Sequence, residues 1–477
     1  MLMVHRCLFV GVCCWSLIAV GMAADSTTPE PERPKPSDQP KDVVAGKLVV
    51  FNDNGAWCWY QDKRVIVDPV AGTMLIGSVA NKAGMGGEPR HGNIDSTVYD
   101  IAAGSSQLVV LHEHQEADDH DAPAFLIRPD GRYLAVYTKH NHDTLTRWRV
   151  STNPHDALHW GDEQTFDWSL PPASIGSNFS TYSNLFYLPV EKRTYDFVRS
   201  VNRDPSFLVS TDDGSTWSYG GKLLTDNNVG YVDGYVKYVS NGQDRIDFIT
   251  TEHHPRDFNN SIYHGYVKDG KLHRSDGTVV NENIFDLNSK APPAHELTTV
   301  LAANTQVDGE KMTHCWDADL ALDSEGRPCA LLTCRANDDP ENSNFNDHRF
   351  FYARFDGQQW QTHQLAKGGA RLWEHEQDYI GGGSLDPDDP SVLYISVPID
   401  PRDNTPLTKH EIFKGQTTDG GAAWLWTPIT QNSSVDNLRP IVRHWNPGAT
   451  AVLWLRGNMR RSQDYDMQVV GVIDQKQ

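Results

Sequence analysis

Basic charge, long helix-forming runs and membrane-spanning segments are all scarce in this sequence. Its 477 residues hold 42 Lys and Arg against 63 Asp and Glu, a formal net charge of -21, and a field of that sign repels nucleic-acid phosphate. Long stretches of Ala, Glu, Lys and Leu are missing, which excludes helical bundles and coiled coils. The 37 Gly, 27 Pro, 14 Trp and 17 Tyr are instead typical of short strands joined by turns.

One apolar stretch, from Cys7 to Val20, could meet a membrane, but it is shorter than the roughly 20 residues that a spanning helix needs. Gly21 and Ala23 follow it as small residues suited to signal peptidase. We therefore predict a secretory signal over residues 1–23 and a secreted or periplasmic protein. Val12 stands where a lipoprotein signal needs a small residue, so no lipid anchor is expected. A disordered linker rich in Pro and charge should follow over residues 24–46.

Cysteine is also rare, since only four remain once the predicted signal is removed. They are Cys58, Cys315, Cys329 and Cys334, too few for a disulfide scaffold in a chain of this length. Cys329 and Cys334 are five residues apart, so one strand carrying both would direct them to opposite faces. Three interpretations stay open: buried small apolar side chains, one disulfide, or a metal site.

Pairs of short apolar strands recur along the chain, each pair centred on a tight turn. The turns fall near residues 70, 130, 191, 242, 325, 388 and 447, a mean spacing of about 63 residues. Seven similar units of that length exceed what a two-sheet sandwich holds. The sequence therefore predicts an all-β fold, a seven-bladed β-propeller over residues 47–477.

A second repeat agrees with this architecture. Ser210–Trp217 and Thr417–Trp424 share the pattern S/T-x-D-x-G-x-x-W, and Phe355–Trp360 is a degraded copy. In such Asp boxes an Asp and a Gly form a tight hairpin and the Trp packs between blades. We therefore expect structural roles, without chemistry, for Asp212 and Asp419.

Hairpin geometry selects candidate site residues, because positions at equal distances from a turn lie side by side at its open end. By this rule His120 lies beside His140 across the turn near 130. Tyr182 lies beside Arg199 across the turn near 191 in the same way.

The same rule places His254 opposite Tyr231, and His314 near Arg335. Titratable side chains thus gather on one face of consecutive blades. We expect them to share a pocket at the rim of the ring.

One stretch has the composition of a metal-binding cluster. His112 and His114 would share a strand face, and Asp118, Asp119 and His120 follow in a loop. Spacing alone is weak support for a metal, so we expect neither a metal nor a cofactor.

Several segments spread along the chain form a recognisable set. They are Gly55–Tyr60, Asp118–Pro123 with the following PDGRYLAVYTKHNH, Thr181–Ser183 with Phe197–Arg199, His254–Arg256, Tyr379–Gly383 with Asp386–Pro390, and Val452–Gly457. In these segments the sequence resembles a known family, the secreted BNR-repeat proteins that include the seven-bladed ulvan lyases. The likeness extends from about Phe51 to Val472.

The resemblance implies a polysaccharide lyase that cleaves a uronate-containing, sulfated, ulvan-like polymer by β-elimination. It places His120, His140, Tyr182, Arg199 and His254 in the catalytic cleft. A lyase needs a base for the C5 proton of the uronate, and Tyr182 is the first candidate and His120 the second. We expect the charge of Arg199 to lower the pKa of Tyr182 toward the phenolate. Arg199, His140 and His254 would recognise carboxylate or sulfate.

Two departures from the family pattern leave alternatives. Asp121 stands where Asn is common, and the spacing from Tyr182 to Arg199 is about one residue longer than expected. Arg203 could therefore replace Arg199, and His253 could replace His254. Further contacts to substrate are expected from Asn141, Tyr231, Arg256, His314, Arg335 and Arg439.

The expected partner is an anionic polysaccharide. We expect the protein to be a monomer that binds neither nucleic acid nor a membrane. Two other functions stay open for an Asp-box propeller. One is a sialidase-type hydrolase, in which Arg199, Arg335 and Arg439 would clamp a carboxylate. The other is a glycan-binding propeller without catalysis.

Overall fold

Apolar alternation broken by turn residues produces short antiparallel strands throughout the chain. The computed structural model describes residues 40–172, 179–225, 234–337, 345–374, 376–446 and 448–475. Within these ranges the only helical segments are single 3-10 turns at Glu88–Arg90, Asp119–Asp121, Val201–Arg203 and Ala294–Glu296. None of the helical turns in this part of the chain is long and apolar enough to cross a membrane. The predicted signal peptide and the predicted linker up to residue 39 lie outside the described residues.

The strands are numbered β1–β33 in chain order. The chain begins with β1 (Val43–Val44) and β2 (Leu48–Asn52). Blade 1 contains β3 (Val65–Asp68), β4 (Thr73–Val79), β5 (Ile94–Asp100) and β6 (Ser105–His112). Blade 2 contains β7 (Ala124–Ile127), β8 (Tyr133–Thr138), β9 (Leu145–Val150) and β10 (Gln164–Asp167). Blade 3 contains β11 (Thr181–Leu188), β12 (Arg193–Arg199), β13 (Pro205–Ser210) and β14 (Ser218–Lys222).

The later blades follow the same plan with some added strands. Blade 4 contains β15 (Val236–Ser240), β16 (Arg245–Thr251), β17 (Ile262–Lys268), β18 (Lys271–Arg274), β19 (Val279–Asn281) and β20 (Thr298–Leu301). Blade 5 contains β21 (Gln306–Val307), β22 (Glu310–Leu322), β23 (Pro328–Ala336), β24 (His348–Phe355) and β25 (Trp360–Gly369). Blade 6 contains β26 (Gly383–Leu385), β27 (Val392–Ile399), β28 (Pro406–Gln416) and β29 (Leu425–Pro428), followed by β30 (Thr430–Gln431). Blade 7 contains β31 (Asp436–Asn446), β32 (Ala449–Arg461) and β33 (Asp464–Gln475).

The blades form a closed ring, and the fold is a seven-bladed β-propeller, as predicted. The first strands of neighbouring blades contact one another, and β31 of blade 7 contacts β3 of blade 1. Blade 7 is completed from the other end of the chain, because β2 pairs with β33. Each of the seven predicted turns falls between the two strands of an inner hairpin, from β3–β4 to β31–β32.

Among the described residues, the first strand lies before residue 47, the predicted start of the propeller. Val43 and Val44 form β1, which pairs with β30 through the partners Gln431 and Thr430. These two valines are the first apolar residues after the polar stretch. Their pairing with β30 therefore gives the last residues of the predicted linker a regular strand structure.

The Asp boxes have the structural role that was expected. In the first box the Ser210 hydroxyl donates to Asp212 at 2.7 Å and accepts from the Gly214 amide at 2.8 Å. The Trp217 ring lies 6.5 Å from Trp148 of the neighbouring blade, so it packs between blades. This box holds the turn between β13 and β14.

Candidate active site

The largest described cavity, of about 870 Å³, is lined by none of the predicted residues that the structure describes. Tyr182 and Arg199 line a small cavity of about 20 Å³. Six of the predicted residues collect in a cleft of about 350 Å³ that we call the rim cleft. Its lining residues are His120, His140, Asn141, Arg199, Arg203, Tyr235, His254, Arg256, Trp373, Glu376, Tyr379, Arg461, Ser462 and Gln463.

His120 and His140 lie together as the hairpin rule predicted. His120 is in the 3-10 turn before β7, and His140 follows the end of β8. Their imidazole rings stack with centroids 3.8 Å apart and an angle of 12° between the planes. The β7–β8 hairpin therefore brings both rings to one wall of the rim cleft.

A single buried carboxylate, Asp118, orients both histidines. Its Oδ1 lies 2.5 Å from Nδ1 of His120, and its Oδ2 lies 3.0 Å from Nδ1 of His140. Asp118 Oδ2 also accepts a hydrogen bond from Gln463 in the β32–β33 turn. With both Nδ1 atoms occupied, the two Nε2 atoms face the other side of the rings, where that of His140 lies 3.4 Å from Nη2 of Arg199.

The two stacked imidazoles carry different charge. Burial opposes the protonation of His120, but Cys58 and the carboxylates of Asp118 and Asp119 outweigh it and hold the pKa of His120 well above its usual value. Burial and the nearby charge of His120 lower the pKa of His140 to about 4. At neutral pH a cation is thus stacked on a neutral ring. His120 suits a proton donor, which is a correction to its expected role as second candidate base.

The central group of the rim cleft is the hydroxyl of Tyr235, which the sequence analysis missed. Its Oη lies 3.1 Å from Nη1 of Arg199 and 3.1 Å from Nε2 of His254. The Tyr235 side chain is 5% exposed, so these contacts are largely shielded from water. Blades 3 and 4 converge here, because Arg199 ends β12 while Tyr235 and His254 flank the β15–β16 hairpin.

Both contacts to Tyr235 donate toward its oxygen. The backbone amide of Arg256 donates to Nδ1 of His254 at 3.2 Å, so in the neutral ring the proton lies on Nε2. Burial and the charge of Arg256 hold the pKa of His254 well below its usual value, which keeps the ring neutral. Nε2–H of His254 and Nη1–H of Arg199 therefore both point at one phenol oxygen. Two donors favour the phenolate of Tyr235 over its neutral form.

Tyr182 is adjacent to these groups but lies behind the wall of the cleft. Its ring is 5.3 Å from that of His120, and the guanidinium of Arg199 covers it at 4.7 Å. Burial, followed by the charge of Tyr235, raises the pKa of Tyr182 well above its usual value, against a smaller lowering by Arg199. Arg199 thus favours the phenolate of Tyr182, as expected, but burial and Tyr235 outweigh its charge, so the neutral phenol is favoured overall.

The two residues proposed as substitutes differ in their placement. Arg203 lines the rim cleft together with Arg199, so both arginines face it. His253 does not line the cleft and packs its ring against Phe258 at 5.1 Å, whereas His254 does line it.

Asn141 and Arg256 line the rim cleft, as expected of residues that contact substrate. Tyr231 lies outside the described residues. His314 is turned away, since its Nδ1 bonds the carbonyl of Pro255.

The two remaining arginines are held within the protein. Arg335 forms an ion pair with the buried Asp378, with Nη2 2.8 Å from Oδ2. Arg439 is buried and donates to backbone carbonyls, among them that of Cys58 at 3.2 Å. Neither lines the rim cleft, so the structure does not bring them together with the other predicted residues. The sialidase-type clamp of these two residues with Arg199 is not assembled either.

The stretch with the composition of a metal-binding cluster is divided between two places. His112 bonds Glu163 at 2.6 Å, and His114 is exposed. Two other groups have ligand atoms within 4.8 Å of one another, namely Cys58, Asp119 and His120, and Asp118, His120 and His140. An ion in the second group would replace the hydrogen bonds that Asp118 makes to the two histidines.

The rim cleft is locally basic despite the overall charge of -21. Its described lining contains four arginines and one carboxylate, Glu376, which is paired with Arg256 at 3.3 Å. Burial raises the pKa of Glu376, which weakens its negative charge further. An anionic ligand is therefore favoured here.

The far wall of the cleft comes from segments that the hairpin rule does not reach. Trp373 and Tyr379 lie in the connection between β25 and β26, and Arg461 ends β32. The Tyr379 hydroxyl is 3.5 Å from Nε2 of His120, across the ring axis. A signal for Tyr379 was present, because it begins the segment Tyr379–Gly383 that carries the family resemblance.

Comparisons with known proteins agree with this fold. The model of the BNR repeat-containing family matches residues 91–368, more than half of the chain. No curated protein matches the sequence. The structure resembles an ulvan lyase bound to -[GlcA(1-4)Rha3S]-, with a TM-score of 0.62 and 14% identity over 90% of this chain and 95% of that one. It also resembles the polysaccharide lyase Uly1, with a TM-score of 0.54 and 11% identity over 91% of this chain and 100% of that one.

Proposed function

The chain belongs to the BNR repeat-containing family, and we propose that it is a lyase that cleaves an anionic, uronate-containing polysaccharide by β-elimination. The observation that carries the proposal is the Tyr235 hydroxyl, held between Arg199 and His254 in an arginine-rich cleft. The fold is shared with two polysaccharide lyases, one of them bound to a GlcA-containing repeat, which supports the same class of substrate. The predicted signal peptide is consistent with a polymeric substrate that the protein encounters outside the cell.

Elimination from a uronate needs three kinds of group. The C5 proton is weakly acidic until the adjacent carboxylate is neutralised by cations or hydrogen-bond donors. A base must then take the proton while the C4–O bond breaks. The leaving oxygen must finally receive a proton.

The residues of the rim cleft can supply all three. We assign neutralisation of the carboxylate to Arg199 and to the cationic His120. We assign the base to Tyr235, whose phenolate is favoured by its two donors. Having gained the C5 proton, the same phenol can pass it to the leaving oxygen. Tyr182, which the resemblance suggested for this step, is the competing candidate.

The remaining arginines suit the other anionic groups of such a polymer. Arg203, Arg256 and Arg461 lie along the cleft beyond Arg199. Guanidinium groups bind sulfate and carboxylate through paired hydrogen bonds. We infer that they hold the neighbouring sugars, so a sulfated uronate polymer such as ulvan is the preferred substrate.

The decisive experiment is an ultraviolet assay on a panel of uronate polymers that includes ulvan. A lyase creates an unsaturated uronate that absorbs ultraviolet light, so absorbance should rise with time. Carboxyl-reduced ulvan is the matched control, and it should give no product because its C5 proton is no longer activated. New reducing ends without absorbance would identify a hydrolase, and binding without product would identify a glycan-binding propeller. Either result would overturn the proposal.

Replacing Asp118 by Asn should lower kcat/KM by about tenfold to a hundredfold, as for other residues that orient a reacting imidazole. The carboxylate of Asp118 helps to raise the pKa of His120, so its loss should lower that pKa. His120 acts as a cation, and activity is lost as pH rises through its pKa. The alkaline limb of the pH–rate profile should therefore move to lower pH in Asp118→Asn.

Asp121→Asn is the matched control, one turn away in the same loop. Burial and the charges of Asp118 and Glu116 raise the pKa of Asp121 well above its usual value, which weakens the negative charge of its side chain. An amide should leave the pH profile of the enzyme in place. Equal shifts in both variants would mean that Asp118 does not act through His120.

A further inference from the structure

Two buried cysteines face each other in blade 5. The Sγ atoms of Cys315 and Cys334 are 3.0 Å apart, and the two side chains are 0% and 1% exposed. Both are thiols in this structure. They lie on neighbouring inner strands, Cys315 on β22 and Cys334 on β23.

A β-bulge creates this approach. Thr313 pairs with Arg335 and Trp316 pairs with Thr333, so two residues of β22 oppose Cys334 alone. The first of the two, His314, has a φ of 47°, a left-handed conformation that is uncommon outside glycine. The extra residue turns Cys315 toward the face that Cys334 occupies.

We propose that Cys315 and Cys334 are joined by a disulfide in the mature protein. A covalent S–S bond is about 2.0 Å long, so the sulfurs need to approach by only about 1 Å, which side-chain rotation can supply. The two thiols lose two protons and two electrons as the bond forms. The oxidant is a disulfide, carried by a protein or a small molecule of the export compartment, which is reduced to two thiols by exchange.

The other two cysteines are unsuited to this bond. Cys329 is also on β23, but it packs in the core cluster around Phe350 while Cys334 packs in the one around Met312. The two sulfurs therefore point to opposite faces of the strand, as the five-residue spacing predicted. Cys58 lies in a third cluster, on the segment between β2 and β3. The structure thus selects one of the possible pairings.

The bond would form before the blade closes. In the folded chain burial and the proximity of Cys315 raise the pKa of Cys334 well above its usual value, which disfavours the attacking thiolate. Oxidation during folding avoids this barrier. The same burial would afterwards shield the disulfide from reductants.

The cross-link would support the rim cleft from below. Trp316 follows Cys315 directly, and its ring packs against Tyr235 at 4.6 Å and against His254 at 5.4 Å. Fixing β22 to β23 beside Trp316 restrains the floor on which these two residues rest. The bulge and the cysteine pair would thus together stabilise the position of Trp316 under Tyr235 and His254.

The test is a thiol map of the full chain, exported to the periplasm of a bacterial host and unfolded in denaturant with iodoacetamide but no reductant. We expect the peptides of Cys315 and Cys334 to be linked and unalkylated. Cys58 and Cys329 should be alkylated, and they serve as internal controls. Prior reduction should make all four react. Complete alkylation of Cys315 and Cys334 without reductant, or a link to another cysteine, would overturn the proposal.

A second measurement concerns stability. The double variant Cys315→Ala/Cys334→Ala should melt about 5 °C below the parent, since a short closed loop is released in the unfolded chain. Reductant added to the unfolded parent before refolding should lower its melting temperature by the same amount. Cys329→Ala is the control, and reductant should lower its melting temperature as much as it lowers that of the parent. An equal melting temperature for the reduced and unreduced parent would contradict the cross-link. If the double variant does not fold, the thiol map of the parent decides alone.

Discussion

Tyr235→Phe should lower kcat on a uronate polymer by about a thousandfold, the effect expected when a proton-transfer group is removed. The substitution keeps the ring that packs on Trp316 and removes only the oxygen that Arg199 and His254 contact. KM should change little, because the arginines that hold the polymer stay in place. The measurement is the ultraviolet assay at substrate concentrations on both sides of KM.

Tyr182→Phe is the matched comparison, and it decides between the two phenols. Tyr182 is buried and does not line the rim cleft, so the loss of its hydroxyl should cost less than tenfold in kcat. The reverse pattern, with Tyr182→Phe inactive and Tyr235→Phe active, would assign the proton transfer to Tyr182. Circular dichroism of both variants would confirm that the propeller is intact.

The fold could be predicted because its information is local. Each inner hairpin consists of two short strands and a turn that are contiguous in sequence, so the seven turns could be read one by one. The closure of blade 7 could not, since β2 and β33 come from opposite ends of the chain. Their pairing depends on the ring as a whole.

The site was predictable to the same extent. His120 with His140, and Tyr182 with Arg199, each flank one hairpin, and strand pairing alone brings them together. Tyr235 was missed because the rule assumes that both strands continue straight.

The β15–β16 pairing ends near Tyr235 and Thr251, after which the chain turns back. That turn places His254 over Tyr235. The straight-strand rule had selected Tyr231, four residues earlier in the chain.

The charge states of the site residues, and their partners from distant parts of the chain, could not be predicted from neighbouring residues in the sequence. The pKa of His120 is raised because burial is outweighed by Cys58, Asp118 and Asp119, and Cys58 comes from the distant segment between β2 and β3. The sequence analysis assigns Arg335 to substrate binding because nothing near it in sequence indicates Asp378, which neutralises its charge. Such pairings are visible only once the ring has closed.

Arg199→Lys should lower kcat/KM by about a hundredfold to a thousandfold, the range seen when one donor to a developing anion is lost. Lysine keeps the positive charge but lacks the planar guanidinium with its several N–H donors. It therefore cannot contact the Tyr235 hydroxyl and Nε2 of His140 at the same time. With one donor fewer, the phenolate of Tyr235 should be less favoured. The acid limb of the pH–rate profile, which reports the loss of the base on protonation, should therefore move to higher pH.

Arg193→Lys is the control at the opposite end of β12. Its guanidinium covers the ring of Phe285 at 4.8 Å and does not line the rim cleft, so kcat/KM and the pH profile should match the parent.

Arg203→Lys tests the neighbouring arginine. It should raise KM without moving the acid limb, because Arg203 is assigned to binding of the polymer and not to the contact with Tyr235. An unshifted acid limb in Arg199→Lys together with a shift in Arg203→Lys would transfer the role of positioning the phenolate from Arg199 to Arg203.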